Sequence, residues 1–168
     1  MSSSNIQIKK GDKIVDYGRV FNVFKISKTK AVDNKLDDCI HYKSHFPTEN
    51  SNMLECSLPK SSLHLTNIRK ISSKADLLKA LRKLKKKMQP QKLTTIEIEE
   101  KLKQNDLFTS AKTVALLWAT KKDEDYGLTT KNKMLMEKAI ESIAEELALA
   151  QKISLKKAKE KILQRLNN

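Results

Sequence analysis

At Ser73 the hydrophobic pattern of the chain changes period, and that change limits the fold more than any single motif does. Before it stand short runs rich in β-branched and aromatic residues, "KIVDYG", "VFNVFKI", "CIHYKSHF" and "MLECSL", which read as strands. Turn signals separate them at Lys10-Gly11-Asp12, at Asp33-Asn34 and in "PTENSN" at 47–52. Strands at this spacing predict a small β-barrel or meander.

After Ser73 the apolar residues recur with helical spacing. Leu77, Leu78, Leu81, Leu84 and Met88 define a first helix, with Ser73 as its N-cap and Pro90 as its stop. Thr94 followed by Glu97 is a capping-box pattern that opens a second helix with Ile98 and Leu102 on one face. Val114, Leu117 and Trp118 mark a third. Thr129 or Thr130 starts a long fourth helix carrying Leu135, Ala139, Ile140, Ile143 and Leu147, and Ser154 caps a fifth with Leu155, Ala158, Ile162 and Leu166 inward. The reading is a two-domain α+β chain: a β-rich domain over 1–72, then an all-α bundle of about five helices over 73–168.

Charge narrows the function. The 168 residues carry 34 Lys+Arg against 20 Asp+Glu, a formal charge of +14 with a pI near 9.7, which favours a polyanionic partner. Residues 74–92 hold eight of those bases and one acid, Asp76. Few carboxylates stand at i+4 to pair with these bases, so the stretch is not an ordinary salt-bridged helix face. Nothing resembles a Gly-rich phosphate loop, a GKS/T motif or a Ser/His/Asp set, so no enzyme and no cofactor are expected. "MSSSNIQIKK" lacks the apolar segment of a signal peptide and no apolar run is long enough to span a bilayer, which predicts a cytoplasmic protein with reduced Cys39 and Cys56.

The order of motifs resembles the CarD-like transcription regulators, a family that shares its N-terminal module with transcription-repair coupling factors. The landmarks are "IKKGDKIV", "YGRVFNV", "LPKSSLHLTNIRKISSKADLLKALRKL", "KLKQNDLFTSAKTVALLW" and "GLTTKNKMLMEKAIESIAEELALA", in that order over nearly the whole chain. The resemblance implies a Tudor-like or SH3-like barrel that docks on the RNA polymerase β subunit, with Lys25, Lys28 and Ser57 as polymerase-facing candidates. It also implies a helical domain that leans on double-stranded promoter DNA and stabilises the open complex, in a monomeric, nucleoid-associated protein with no catalysis and no membrane partner. Docking through a sheet edge suits the unpaired N–H and C=O groups such an edge presents.

Two departures stand out. Relatives insert a tryptophan wedge from the segment between the first two bundle helices; here that segment reads "QPQKLTTIE" and holds no aromatic. Ser57 stands where polymerase-docking relatives often have Arg, and "VDYGR" lacks the usual proline and second glycine. Without the wedge, binding falls to phosphate contacts. The candidates are Lys79, Arg82, Lys83, Lys86 and Lys87, helped by Lys92, Lys121, Lys122, Lys131 and Lys133, while Trp118 on the apolar face of the third helix reads as a packing residue.

Cys39, His41, His45 and Cys56 contain metal-ligand types within 18 residues, but their spacing matches no common zinc motif, and a small buried thiol with surface histidines is the reading adopted. If the loop after His45 is centred near 47 and 48, Cys39 pairs with Cys56 and His41 with Leu54 across a hairpin. Three functions remain open at this level: a polymerase-bound transcription regulator, a polymerase-independent and weakly sequence-specific DNA-binding protein of nucleoid type, and an adaptor whose charge serves solubility.

Overall fold

A computed structural model describes residues 6–30, 36–46, 55–85, 87–123 and 126–168, which divide into two compact units, Met1–Ile71 and Ser72–Asn168. The first holds a five-stranded antiparallel sheet and the second five helices, an α+β architecture.

The strands are β1 (Lys13–Asp16), β2 (Arg19–Lys30), β3 (Leu36–Ser44), β4 (Glu55–Pro59) and β5 (Arg69–Lys70), hydrogen-bonded in the order β4-β3-β2-β1-β5. Tyr17 and Gly18 join β1 to β2 with φ of 45° and 75°, the two positive values a two-residue type I′ hairpin requires. Alternation then sends Ile14, Phe21, Val23, Ile40 and Tyr42 to one face, where they close on Ile8 and Ile68. Phe21 and Tyr42 meet edge to face at 5.3 Å. The expected turns at 33–34 and 47–52 lie outside the described residues.

The β3–β4 register differs from the one expected. Tyr42 faces Cys56, Ile40 faces Leu58, His41 faces Ser57 and Cys39 faces Pro59, a slip of three residues. Because side chains alternate, the two cysteines lie on opposite faces of the sheet and not side by side. Burial explains the choice: the expected register would set Glu55 against Ile40 on the core face, whereas the observed one puts Leu58 and Cys56 there and leaves Glu55 and Ser57 exposed.

The helices are α1 (Lys74–Leu84), α2 (Thr95–Lys103), α3 (Leu107–Lys122), α4 (Thr130–Gln151) and α5 (Leu155–Asn167). Ser73, Thr94, Thr129 and Ser154 each cap one by accepting a backbone N–H three residues on, and Thr94 with Glu97 completes a capping box. α3 is the central helix, buried on most of its circumference by Leu107, Ala111, Val114, Leu116 and Leu117. Leu77, Leu81 and Leu84 of α1, Met136, Ile143 and Leu147 of α4, and Ile162 of α5 complete the core, each buried side chain contributing about 1.5–3 kcal/mol of transfer free energy. Glu146, 1% exposed, accepts the Ser72 N–H at 2.8 Å, placing a carboxylate against the positive end of α1.

The first helix is shorter than its apolar pattern predicts. It ends at Leu84, not at Met88, and Leu78 is 43% exposed. Continuing it would stack Arg82 on Lys86 and Lys83 on Lys87 at i,i+4, like-charge pairs that destabilise a helix, and Pro90 disfavours helical backbone at Gln89.

Candidate nucleic-acid interface

The chain leaving α1 does a different job from the one its helical spacing suggests. At one end, Lys83 Nζ sits 4.8 Å above the ring of Phe108, in the first turn of α3. At the other, the Gln91 N–H donates to Thr120 Oγ1 at 3.2 Å, and the Thr120 hydroxyl lies 3.2 Å from the Gln91 carbonyl. Phe108 and Thr120 are twelve residues apart on α3, about 18 Å at roughly 1.5 Å per residue. Residues 87–91 therefore form a non-helical strap that reaches the far anchor along the central helix, while Lys86 lies outside the described residues. Its exposure alternates: Met88 and Pro90 are half-buried, whereas Lys87, Gln89 and Gln91 are exposed.

This geometry sorts the ten expected DNA-facing residues. Lys83 marks one end of the strap, Lys87 lies on its outer side, and Lys92 follows its far anchor, beside the exposed Lys121 and Lys122 at the end of α3. Lys131 and Lys133 belong to the same end of the bundle, because Thr95 of α2 donates to the buried Asn132 of α4 at 2.8 Å. Lys131 is engaged with Glu99 at 3.0 Å, and Lys133 is exposed. Arg82 and Lys79 are exposed on α1, with Lys79 3.4 Å from Asp76. Lys86 lies outside the described residues.

The basic end also carries apolar surface that composition does not disclose. Ile96 in the first turn of α2, Tyr126 in the α3–α4 connection and Met134 in the second turn of α4 are 67%, 54% and 54% exposed. Trp118 continues the buried Leu107–Ala111–Val114 column to this end but is only half-buried. Lys121 and Lys122, one turn on, lie 4.9 and 5.7 Å from its ring centroid. Its indole Nε1 is shut off from solvent and has no hydrogen-bond partner among the described residues.

In the sheet unit, two of the three polymerase-facing candidates come together. Lys25, His41 and Ser57 form one cross-strand row over β2, β3 and β4, on the face away from the core. His41 links the strands, with Nε2 2.7 Å from Ser27 Oγ and Nδ1 2.8 Å from Ser57 Oγ. The sequence offers His41 as a metal-ligand type or a surface histidine opposite Leu54, and only the observed register reveals Ser57 as its β4 neighbour. Lys28 points to the opposite face, where it and Lys60 hold Asp38 at 2.8 and 2.9 Å. Those two cations pull the Asp38 carboxyl down to about 2. Ser57 lies on β4, an edge of the described sheet. Among the described residues no three His, Cys, Asp or Glu side chains gather as metal ligands.

The fold defines the class: an α+β chain with an antiparallel sheet unit followed by a five-helix unit whose first two helices are joined by a strap. The family model for the CarD C-terminal domain matches residues 76–163, more than half of the chain, and the protein belongs to the CarD-like family, which is transcription-related and non-enzymatic. No curated protein matches the chain. Among the described residues no helix is long and apolar enough to cross a membrane.

Proposed function

We propose that the protein is a cytoplasmic, nucleoid-associated transcription regulator that touches DNA phosphates along the strap and RNA polymerase through its sheet unit. The observation that carries the DNA reading is the strap, which carries exposed Lys87 between the Lys83–Phe108 and Gln91–Thr120 contacts, about 18 Å apart along α3, with Lys92, Lys121 and Lys122 following those anchors in sequence. That length matches about five base-pair steps at roughly 3.4 Å each. Lysines contact phosphates as point charges without reading bases, so binding is broad in sequence and sensitive to salt. Ile96, Tyr126 and Met134 add apolar contact area at the end of the line. No residue here is assigned a catalytic role.

For polymerase, the β4 edge offers a strand-pairing surface to the β subunit, with Lys25 and Ser57 beside it and Lys28 turned away. The test is a paired binding assay with the purified chain, one arm offering the isolated polymerase β lobe and the other a labelled duplex of arbitrary sequence. Retention of both supports the proposal. Duplex binding without the β lobe favours a polymerase-independent, nucleoid-type regulator, and binding of neither at low salt contradicts both.

A further inference from the structure

We infer that Trp118, Lys121 and Lys122 form a phosphate-binding site in which the indole N–H is the directional donor and the two lysines stacked on the ring supply the positive charge. The inference deepens the DNA reading above and rests on it for the source of the phosphate. The primary observation is the Trp118 Nε1, which is buried and unpaired among the described residues although the indole is a donor that ordinarily finds an acceptor when removed from water. The second, independent observation is the positive charge stacked on the same ring. Lys121 and Lys122 lie at i+3 and i+4, and both ammonium groups stand within 6 Å of the ring centroid. Lys122 is further held by Asn167 Oδ1 at 3.1 Å. Both lysines are exposed, so they can leave the ring for a phosphate at the cost of a weak cation–π contact.

The surroundings supply more positive potential. The strap delivers Lys92 next to the Gln91–Thr120 contact, and α2 and α4 begin at this end of the bundle. A phosphate oxygen at the indole would satisfy the orphaned donor with a charge-assisted hydrogen bond and bring both lysines into ion pairs. The shared chemistry is a phosphate oxyanion, and a duplex backbone or a free polyphosphate could present it.

Trp118 is the only tryptophan in the chain, so its fluorescence reports the site directly. The wild-type protein should be titrated with a labelled duplex, reading duplex anisotropy and Trp118 emission together, and separately with inorganic tripolyphosphate. The expected result is a saturable emission change with the same midpoint as the anisotropy. W118F, which keeps a ring but loses the N–H, should bind the duplex about tenfold more weakly, roughly the worth of one hydrogen bond to a charged acceptor. Its thermal midpoint should not fall in step, because the free protein loses a buried unpaired donor. If W118F fails to fold, K121Q/K122Q serves instead: it should weaken duplex binding and uncouple the emission change. An emission response to tripolyphosphate without duplex binding would support the site and assign it to free polyphosphate, while removing the DNA reading. Normal duplex binding with unchanged Trp118 emission and wild-type affinity in W118F would overturn the site and leave the DNA reading intact. No response to either probe would overturn both.

Discussion

Gln91 and Thr120 are bound to each other through one hydroxyl: the Gln91 amide donates to Thr120 Oγ1 at 3.2 Å, and that hydroxyl faces the Gln91 carbonyl at 3.2 Å and the Leu116 carbonyl at 3.0 Å. This pairing holds the strap against α3. T120V keeps the shape and removes the hydroxyl, so it should destabilise the helical unit by about 1 kcal/mol in urea titrations. It should also speed trypsin cleavage after Lys87 and Lys92 relative to wild type. Equal cleavage rates would mean that the strap is held by Met88 and Pro90 alone.

Asp16 is 8% exposed and accepts the Tyr42 hydroxyl at 3.0 Å. Burial raises its pKa above the ordinary aspartate value, with the Tyr42 hydroxyl and the Tyr17 N–H opposing part of the shift. Folding therefore favours the protonated acid: its contribution is full below the ordinary carboxylate pKa and is lost as pH rises through the folded value. D16N should accordingly raise the urea midpoint at pH 7, and the gain should shrink as the pH is lowered toward 4. A variant less stable than wild type at pH 7 would show that the ionised carboxylate is a net stabiliser.

Asp38 behaves in the opposite sense. Lys28 and Lys60 hold its carboxyl at about 2, so its contribution is present at neutral pH and is lost as pH falls from the ordinary carboxylate range toward that value. Melting curves of wild type and D38N should differ most near neutrality and converge toward pH 2. A difference that grows on acidification would contradict the assigned pairing.

Lys152 closes α4 with φ 53° and ψ 45°, a left-handed position where a side chain is strained and glycine is not. K152G should stabilise the protein by about 1 kcal/mol in the same urea assay. A drop in stability would mean that the exposed lysine side chain makes a compensating interaction.

The sequence discloses whatever depends on local chemistry. Ser73, Thr94, Thr129 and Ser154 are legible as caps because the acceptor and the N–H it serves are three residues apart, and the change of period at Ser73 separates strands from helices. It conceals whatever depends on distant partners. Met88 continues the spacing of Leu77, Leu81 and Leu84, yet the strap takes it because Thr120, 29 residues beyond Gln91, offers a hydrogen bond and α3 offers apolar cover. The β3–β4 register is hidden for a related reason: both pairings alternate, and only the burial of Leu58 and Cys56 beside Ile40 and Tyr42 decides between them. Of the basic residues, charge density points to the α1 stretch, whereas the grouping of Lys92 with Lys121 and Lys122 comes from tertiary structure.

The most direct test is the salt dependence of duplex binding for wild type and for a variant with Lys87, Lys92, Lys121 and Lys122 replaced by Ala. If these lysines neutralise phosphates, affinity should fall similarly on unrelated duplexes, and the slope of log affinity against log salt should flatten by roughly 0.9 for each phosphate the variant leaves unneutralised. A variant that keeps the wild-type affinity and the wild-type slope across that panel would contradict the proposed DNA interface.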